Sequence, residues 1–297
     1  MHTTATRLST RATTAFRVTV LALLALLAIA LTTTASAKET VTQEMNKTFR
    51  LQPGGEVTLE NVNGAIQVEG WDRDRVELHV VKKVQASSLE RAEEAMRNFE
   101  VLIESTPEML RVETNKPKGE GGLVSWLRSA STQYQASYEL RVPRHVIIDA
   151  NTVNGRVTLT DLNGDVDADT TNGSIHMNRV SGRTSASTTN GSIQVAEARG
   201  SVSASTTNGR IRVSLMDVTP TADMSFSTTN GSVELELPAD VQTHLEARTT
   251  NGGISTDFAV KVDGKRGSKS IDAAINGGGD SRLKVRTTNG GIRIREI

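Results

Sequence analysis

Four aspartates are the residues whose type and spacing could do chemistry in this sequence. Asp165, Asp167 and Asp169 alternate with apolar residues, so on a strand all three carboxylates face the same side. Asp149 belongs to the preceding sequence repeat and aligns with Asp167. Because Ca²⁺ prefers about six to eight oxygen ligands, this cluster predicts a local calcium site, with a solvated acidic stripe as the plainer alternative.

Other catalytic chemistry has little support in the sequence. There is no cysteine, which excludes disulfides, thiol catalysis and Cys-ligated zinc or iron–sulfur clusters. The histidines do not converge, and the Gly-rich phosphate loop, the His-Glu-x-x-His motif and the Gly-x-Ser-x-Gly motif do not occur. We therefore predict no catalytic residues and no cofactor apart from Ca²⁺. A carbohydrate-active enzyme of the parallel β-helix type, using the four aspartates, is the alternative from another class.

The charge of the chain limits its possible partners, and the N-terminal segment predicts its location. The 34 basic residues balance 34 acidic ones, and without a basic cluster we predict no nucleic-acid binding. Residues 1–37 contain three arginines, an apolar run over 18–31 and a small-residue cleavage site, which is typical of a signal peptide. The run is shorter than the about 20 residues that span a bilayer, so a retained anchor is the alternative. The expected location is periplasmic, envelope-associated or secreted.

A repeated Thr-Thr-Asn-Gly sequence organises the second half of the chain. Most successive copies are 18–22 residues apart, and a last step of 38 contains a degenerate Asn276-Gly277 pair. Periods of this size indicate a repeat architecture. The predicted structural turns are Asn63, Gly64, Asn154, Gly155, Asn172, Gly173, Asn190, Gly191, Asn208, Gly209, Asn230, Gly231, Asn251, Gly252, Asn289 and Gly290.

Alternating apolar residues on both sides of each Asn-Gly pair predict two short strands per repeat. An antiparallel meander would leave an apolar face uncovered, whereas a β-solenoid of two-strand coils closes the apolar columns against one another. We therefore favour an all-β solenoid. In this arrangement an inward Asn would hydrogen-bond the Asn above and below it, and Gly would supply a positive φ at the corner.

The chain before the repeats has a different pattern. We predict that residues 38–132 form a strand-rich section with one helix at about 88–98 and an exposed loop at 115–132. The repeat array follows over 133–297. The final repeat carries five basic residues: Arg282, Lys284, Arg286, Arg293 and Arg295. We expect these charges at the open end of the stack, where they would discourage strand addition.

Two segments carry a family resemblance. Residues 54–71, GGEVTLENVNGAIQVEGW, and residues 138–143, YELRVP, resemble the bacterial putative adhesin family, a domain of unknown function with β-strand repeats. The resemblance implies an exported, β-solenoid-like protein of the cell envelope with no established catalytic residues.

The predicted function is a non-catalytic, adhesin-like binding or structural module of the cell envelope or surface. Its expected partner is a cell-envelope component, a surface polysaccharide or a protein, with no stable membrane span after signal cleavage. An accessory or sensor protein of an envelope-stress system is the alternative, and the loop around Trp126 would then contact the partner.

Overall fold

Strands account for nearly all of the chain that the structure, a computed structural model, describes. The described residues are 38–115, 132–219, 223–260 and 269–297, so the signal-peptide prediction and the Trp126 loop lie outside them. The elements are β1 Glu39–Arg50, β2 Glu56–Glu60, β3 Ile66–Trp71, β4 Arg75–Ala86, α1 Leu89–Arg97, β5 Glu100–Ser105, β6 Met109–Asn115, β7 Gln133–Pro143, β8 Ile147–Asn154, β9 Val157–Asn163, β10 Val166–Asn172, β11 Ile175–Asn190, β12 Ile193–Asn208, β13 Ile211–Val218, β14 Met224–Asn230, β15 Val233–Leu237, β16 Thr243–Asn251, β17 Ile254–Thr256, β18 Ser270–Ile275, β19 Arg282–Asn289 and β20 Ile292–Glu296.

The repeats form the coils of a β-solenoid. β10 pairs in parallel with β8 on one side and with the second half of β11 on the other, always with the residue one repeat away. β9 pairs in the same way with the first half of β11. Each strand therefore bonds its counterpart in the next coil. The fold-class prediction is confirmed, and the antiparallel meander is excluded.

Two sheets face each other across the core. Sheet 1 runs β5–β6–β2–β8–β10–β11–β12–β14–β19–β16–β18, and sheet 2 runs β1–β4–β7–β3–β9–β11–β12–β13–β15–β20–β17. β11 and β12 pass from sheet 2 into sheet 1, so each contributes one half to either sheet. Inward Val, Ile, Leu and Ala side chains fill the space between the sheets.

Coil order in space differs from coil order in sequence at the C-terminal end. The last coil, β19 with β20, lies between the β14–β15 coil and the β16–β17 coil. The expectation that the final repeat forms the open end is therefore wrong. β18 occupies the edge of sheet 1 and is antiparallel to β16.

Asn276 and Gly277 are not a degenerate coil corner. They form a turn with φ of 49° and 87°, which reverses the chain between antiparallel β18 and the inserted β19. The Asn276 amide donates hydrogen bonds to the carbonyls of Ala239 and Val241 at 2.8 and 2.9 Å. Within the 38-residue step of the sequence, β18 and this turn thus lie at the end of the stack and form no further coil.

The N-terminal end has the same kind of exchange. The β2–β3 coil lies between the β6–β7 coil and the β8–β9 coil. α1 packs on β4 and β1, burying Ala92 and Met96, and begins where the Ser88 hydroxyl accepts a hydrogen bond from the Arg91 amide. At the other end of the stack the outermost strands, β17 and β18, come from an internal part of the chain, whereas here sheet 2 ends with β1, the first strand of the described residues.

Candidate functional site

The corner asparagines form a ladder on the outside of the solenoid. Seven side-chain amides each donate to the amide oxygen of the Asn in the neighbouring coil at 2.7–2.9 Å. The amide of Asn63, at the end of the ladder, donates to the Tyr134 carbonyl at 3.0 Å. In spatial order the ladder is Asn63, Asn154, Asn172, Asn190, Asn208, Asn230, Asn289 and Asn251. Asn154 and all the later members are exposed, so the predicted inward orientation is wrong.

Threonine takes the inward place at the corners from Asn154 onward, and Asn61 takes it at the Asn63 corner. In Thr-Thr-Asn-Gly the first Thr is buried, and its hydroxyl donates to the carbonyl of the corner Gly in the neighbouring coil. Thr188 bonds Gly173 in this way, and Thr206 bonds Gly191, both at 3.0 Å. The strand then bends, which turns the following Asn outward.

The corner glycines are needed for space. Among them only Gly64 has a left-handed φ, of 132°, so the predicted general role of positive φ is wrong. A Cβ on Gly173, Gly191 or Gly209 would instead overlap the carbonyl oxygen of the corner Gly in the preceding coil. The same holds for Gly155, Gly231, Gly252 and Gly290, each against its neighbouring corner Gly.

The opposite corner holds charged residues whose left-handed conformation and pairing were not predicted, although Asp161, with Asn163, was a candidate additional calcium ligand. Asp161, Arg179 and Glu197 have φ of 60°, 52° and 52°, a left-handed conformation that costs a non-glycine residue about 1–2 kcal/mol. The Arg179 guanidinium makes two bonds to the Asp161 carboxylate at 2.7 and 2.8 Å and lowers its pKa. The recurrence of a charged residue every 18 positions in the sequence could have indicated that these side chains stack at one corner.

The outer face of sheet 1 carries a regular grid of hydroxyl groups, which we call the hydroxyl face. Its members are Ser185, Ser187 and Thr189 of β11, Ser203, Ser205 and Thr207 of β12, and Ser225, Ser227 and Thr229 of β14. Paired strands set neighbouring columns about 4.8 Å apart, and alternation sets rows about 7 Å apart. None of the nine side chains is buried.

The four predicted metal ligands lie on the same side, next to the hydroxyl face. Asp167 is in register with Asp149 on β8, and Asp169 lies two residues further along β10. Several of these carboxylates have partners of their own. Asp165 pairs with Arg183 at 2.9 Å, and Asp149 accepts a bond from the Asn151 amide at 2.6 Å.

Crowding of these acids changes their ionisation. Partial burial, followed by the charge of Asp167, raises the pKa of Asp169, and burial together with Asp167 also raises the pKa of Asp149. A raised carboxyl pKa means that the folded state binds the proton more tightly than the unfolded state. The repulsion thus destabilises the fold at neutral pH and is relieved as the pH falls through the raised pKa values.

We expect Asp167→Asn to stabilise the fold by about 0.5 kcal/mol at pH 7, since it removes a like charge opposite Asp149. The gain should shrink as the pH falls below the raised pKa values. Urea unfolding of both proteins at pH 7 and pH 4 measures it, and a variant less stable than wild type at pH 7 would contradict the repulsion.

Calcium binding at these aspartates stays a prediction. Within the described ranges, no group of three or more His, Asp or Glu side chains has the geometry of a metal site. Melting curves with and without Ca²⁺ test the site: a calcium-dependent rise in Tm that Asp167→Asn abolishes would support it. Equal curves for both proteins would contradict it.

Basic residues flank the hydroxyl face on the other side. Lys284 and Arg286 of β19 are in register with Ser225 and Ser227, and Arg248 of the next strand, β16, is in register with Arg286. The row that contains Ser227 therefore changes from acidic Asp169 through serines to the two arginines. The neighbouring row, which contains Ser225, continues through Lys284 to the acidic residues Glu246 and Asp272. In the part of the chain that the structure describes, no helix is long and apolar enough to cross a bilayer.

Comparisons with solved structures give matches of low identity. A putative cell adhesion protein from Clostridium sporogenes is 13% identical, with 86% of this chain and 100% of that chain covered and a TM-score of 0.28. A putative adhesin from Parabacteroides merdae is 10% identical, with 86% and 96% covered and a TM-score of 0.36. A putative lipid binding protein from Parabacteroides distasonis is 8% identical, with 86% and 97% covered and a TM-score of 0.31.

Sequence comparison identifies the family. No curated protein matches the chain significantly. Residues 148–295, which contain most of the asparagine ladder, match the profile of the Toastrack DUF4097 domain. The resemblance to a family of β-repeat domains of unknown function is thereby confirmed. Residues 148–295 of this chain therefore form a domain of the Toastrack DUF4097 family.

Proposed function

We propose that this protein is a non-catalytic, adhesin-like binding module that attaches to a cell-envelope component or surface polysaccharide through the hydroxyl face. The observation that carries the proposal is the three-by-three grid of accessible hydroxyls on β11, β12 and β14. A grid of identical groups on a rigid sheet suits an extended, repetitive ligand better than a small substrate.

In this proposal, affinity depends on a rigid binding surface and on many repeated contacts. The side chains stand on backbone that is bonded to a neighbouring strand on both sides, so little backbone entropy is lost when a ligand binds. Each hydroxyl donates one hydrogen bond and accepts others, which matches the groups of a sugar or polyol. Individual contacts are weak, and affinity grows with the number made along one polymer.

The composition of the hydroxyl face determines which contacts it can make with a ligand. None of its nine members is aromatic, and the whole chain has nine aromatic residues, so sugar stacking on aromatic rings contributes little. Binding through hydroxyls alone favours a ligand with many repeating units. Export by the predicted signal peptide, which would leave a mature chain from Lys38, is part of the proposal because such polymers lie outside the cytoplasm.

Co-sedimentation of the mature chain, residues 38–297, with isolated cell walls and with envelope membranes tests the proposal. We expect saturable pelleting with walls. Absence of pelleting with both preparations would overturn attachment to the envelope.

A pair of variants on one strand localises the binding. Ser205 is the centre of the hydroxyl face, and Gln194 is an exposed residue of β12 on the opposite sheet. Ser205→Leu should weaken wall binding about threefold or more, because it removes a hydroxyl and keeps neighbouring groups from the ligand. Gln194→Leu should bind as wild type does. Equal loss in both variants would place the binding surface elsewhere.

A further inference from the structure

Two arginines lie side by side near the β18 edge of sheet 1. Arg248 of β16 is directly in register with Arg286 of β19, and both side chains are exposed on the outer face. We call them the arginine pair. On one side they adjoin Ser227 of the hydroxyl face, and on the other they adjoin Ser270 of β18.

Stability does not explain the arginine pair. Like charges directly opposite each other on neighbouring strands are unfavourable. Among the ion pairs of the described residues, none involves Arg248 or Arg286. The equivalent position is serine in three other coils, namely Ser187, Ser205 and Ser227. The solenoid thus accommodates an uncharged residue at this site, and neither arginine forms an ion pair with another residue that the structure describes.

The surroundings of the arginine pair form an open groove suited to an oxyanion. Hydroxyl groups of Thr229, Thr250 and Thr288 line it, together with Lys269. None of the described residues that line the groove is acidic. Guanidinium groups bind phosphate oxygens through two parallel N–H donors, and hydroxyls can donate to the oxygens that are left.

We propose that the arginine pair binds phosphate groups carried by a polyol or glycan polymer. This inference rests on the proposed function, because it names the chemistry of the surface ligand: sugar or polyol hydroxyls lie on the hydroxyl face, and phosphates lie on the arginine pair. A polymer fits better than a membrane, since the exposed large apolar side chains of the described residues include none on β14, β16, β18 or β19.

Coil exchange sets the surroundings of this site. In sequence order the β19–β20 coil would follow the β16–β17 coil, so Arg248 would adjoin Ser227 and Arg286 would face the end of the stack. Insertion of β19 between β14 and β16 instead places Arg286 beside Ser227 and Arg248 beside Ser270 of the edge strand β18, and the two arginine strands lie about 4.8 Å apart in backbone spacing.

Binding of inorganic polyphosphate to the mature chain, measured by calorimetry, tests the site. The wild type should bind polyphosphate more tightly than inorganic phosphate, and added salt should weaken the binding. The double variant Arg248→Ser with Arg286→Ser should lose about tenfold in affinity. Arg293→Ser is the matched control for the single variant Arg286→Ser, because each removes one positive charge from the β19–β20 coil and Arg293 lies on the opposite sheet. Without ligand, the double variant should melt no lower than wild type.

The outcomes separate this site from the proposed function. Wild-type affinity in the double variant would overturn the phosphate site, and the same variant pelleting normally with cell walls would leave the hydroxyl face as the binding surface. Binding to phosphatidylcholine vesicles, with and without phosphatidylglycerol, is a third measurement. Arginine-dependent binding to the anionic vesicles without binding to polyphosphate would overturn the polymer as the source of the phosphate.

Discussion

Gly191→Ala is expected to destabilise the protein by about 3–5 kcal/mol, among the largest effects of a single methyl group. The new Cβ would overlap the carbonyl oxygen of Gly173 in the neighbouring coil. That oxygen also accepts the Thr188 hydroxyl at 3.0 Å, and the Gly173 amide donates to the Asn190 carbonyl at 3.0 Å. Relief of the overlap would separate the two coils and weaken both bonds.

Gly253→Ala is the matched control for this effect. Gly253 follows the corner Gly252, yet a Cβ there meets no atom within 4 Å and its φ is not left-handed. This substitution should change stability by no more than about 1 kcal/mol, and in the stabilising direction where it restricts the unfolded chain. Urea unfolding of the two variants measures the contrast. Similar midpoints for both would show that close approach of the coils does not explain the corner glycines.

Leu283→Ala should cost about 3 kcal/mol although it lies close to the C-terminus. Leu283 is fully buried in β19, where its strand is paired with β14 on one side and β16 on the other. A cavity at this point loosens two coil interfaces at once. Ile271→Ala in the edge strand β18 is the control, with an expected cost of about 1 kcal/mol because Ile271 is only partly buried.

Amide hydrogen exchange checks the coil order directly. Backbone amides of β20 should exchange more slowly than those of β17, because β20 is bonded on both sides and β17 forms the edge of sheet 2. Faster exchange in Ile292–Glu296 than in Ile254–Thr256 would mean that the last coil forms the end of the stack after all.

Local sequence determined the coil itself. Apolar residues alternate up to each buried Thr and resume after each Gly, so the inner and outer side chains of β10 and the later coil strands could be assigned from the sequence. The same period placed Asp149 beside Asp167 and aligned Ser185 with Ser203, since parallel coils stack residues one repeat apart. The sequence alone therefore predicted the cluster of four aspartates and much of the hydroxyl face.

The corner geometry could be predicted from the sequence only in part. The sequence showed that Asn and Gly recur, but it could not show that the strand bends after the buried Thr and turns the Asn outward. Glycine at a turn most often indicates a positive φ, whereas here the spacing between stacked backbones leaves no room for a Cβ. That spacing is a property of two coils together, so it has no signature in either one.

The sequence by itself determined the repeat, the two-strand coil and the alternation that divides core from surface. Only the tertiary structure decided which coils are neighbours, and with them the residues on either side of the arginine pair. The physical reason is that every coil offers nearly the same interface: parallel backbone bonds, apolar columns and an Asn–Thr–Gly corner. Such an interface accepts any other coil, and the turns and excursions at the two ends of the stack select the actual order.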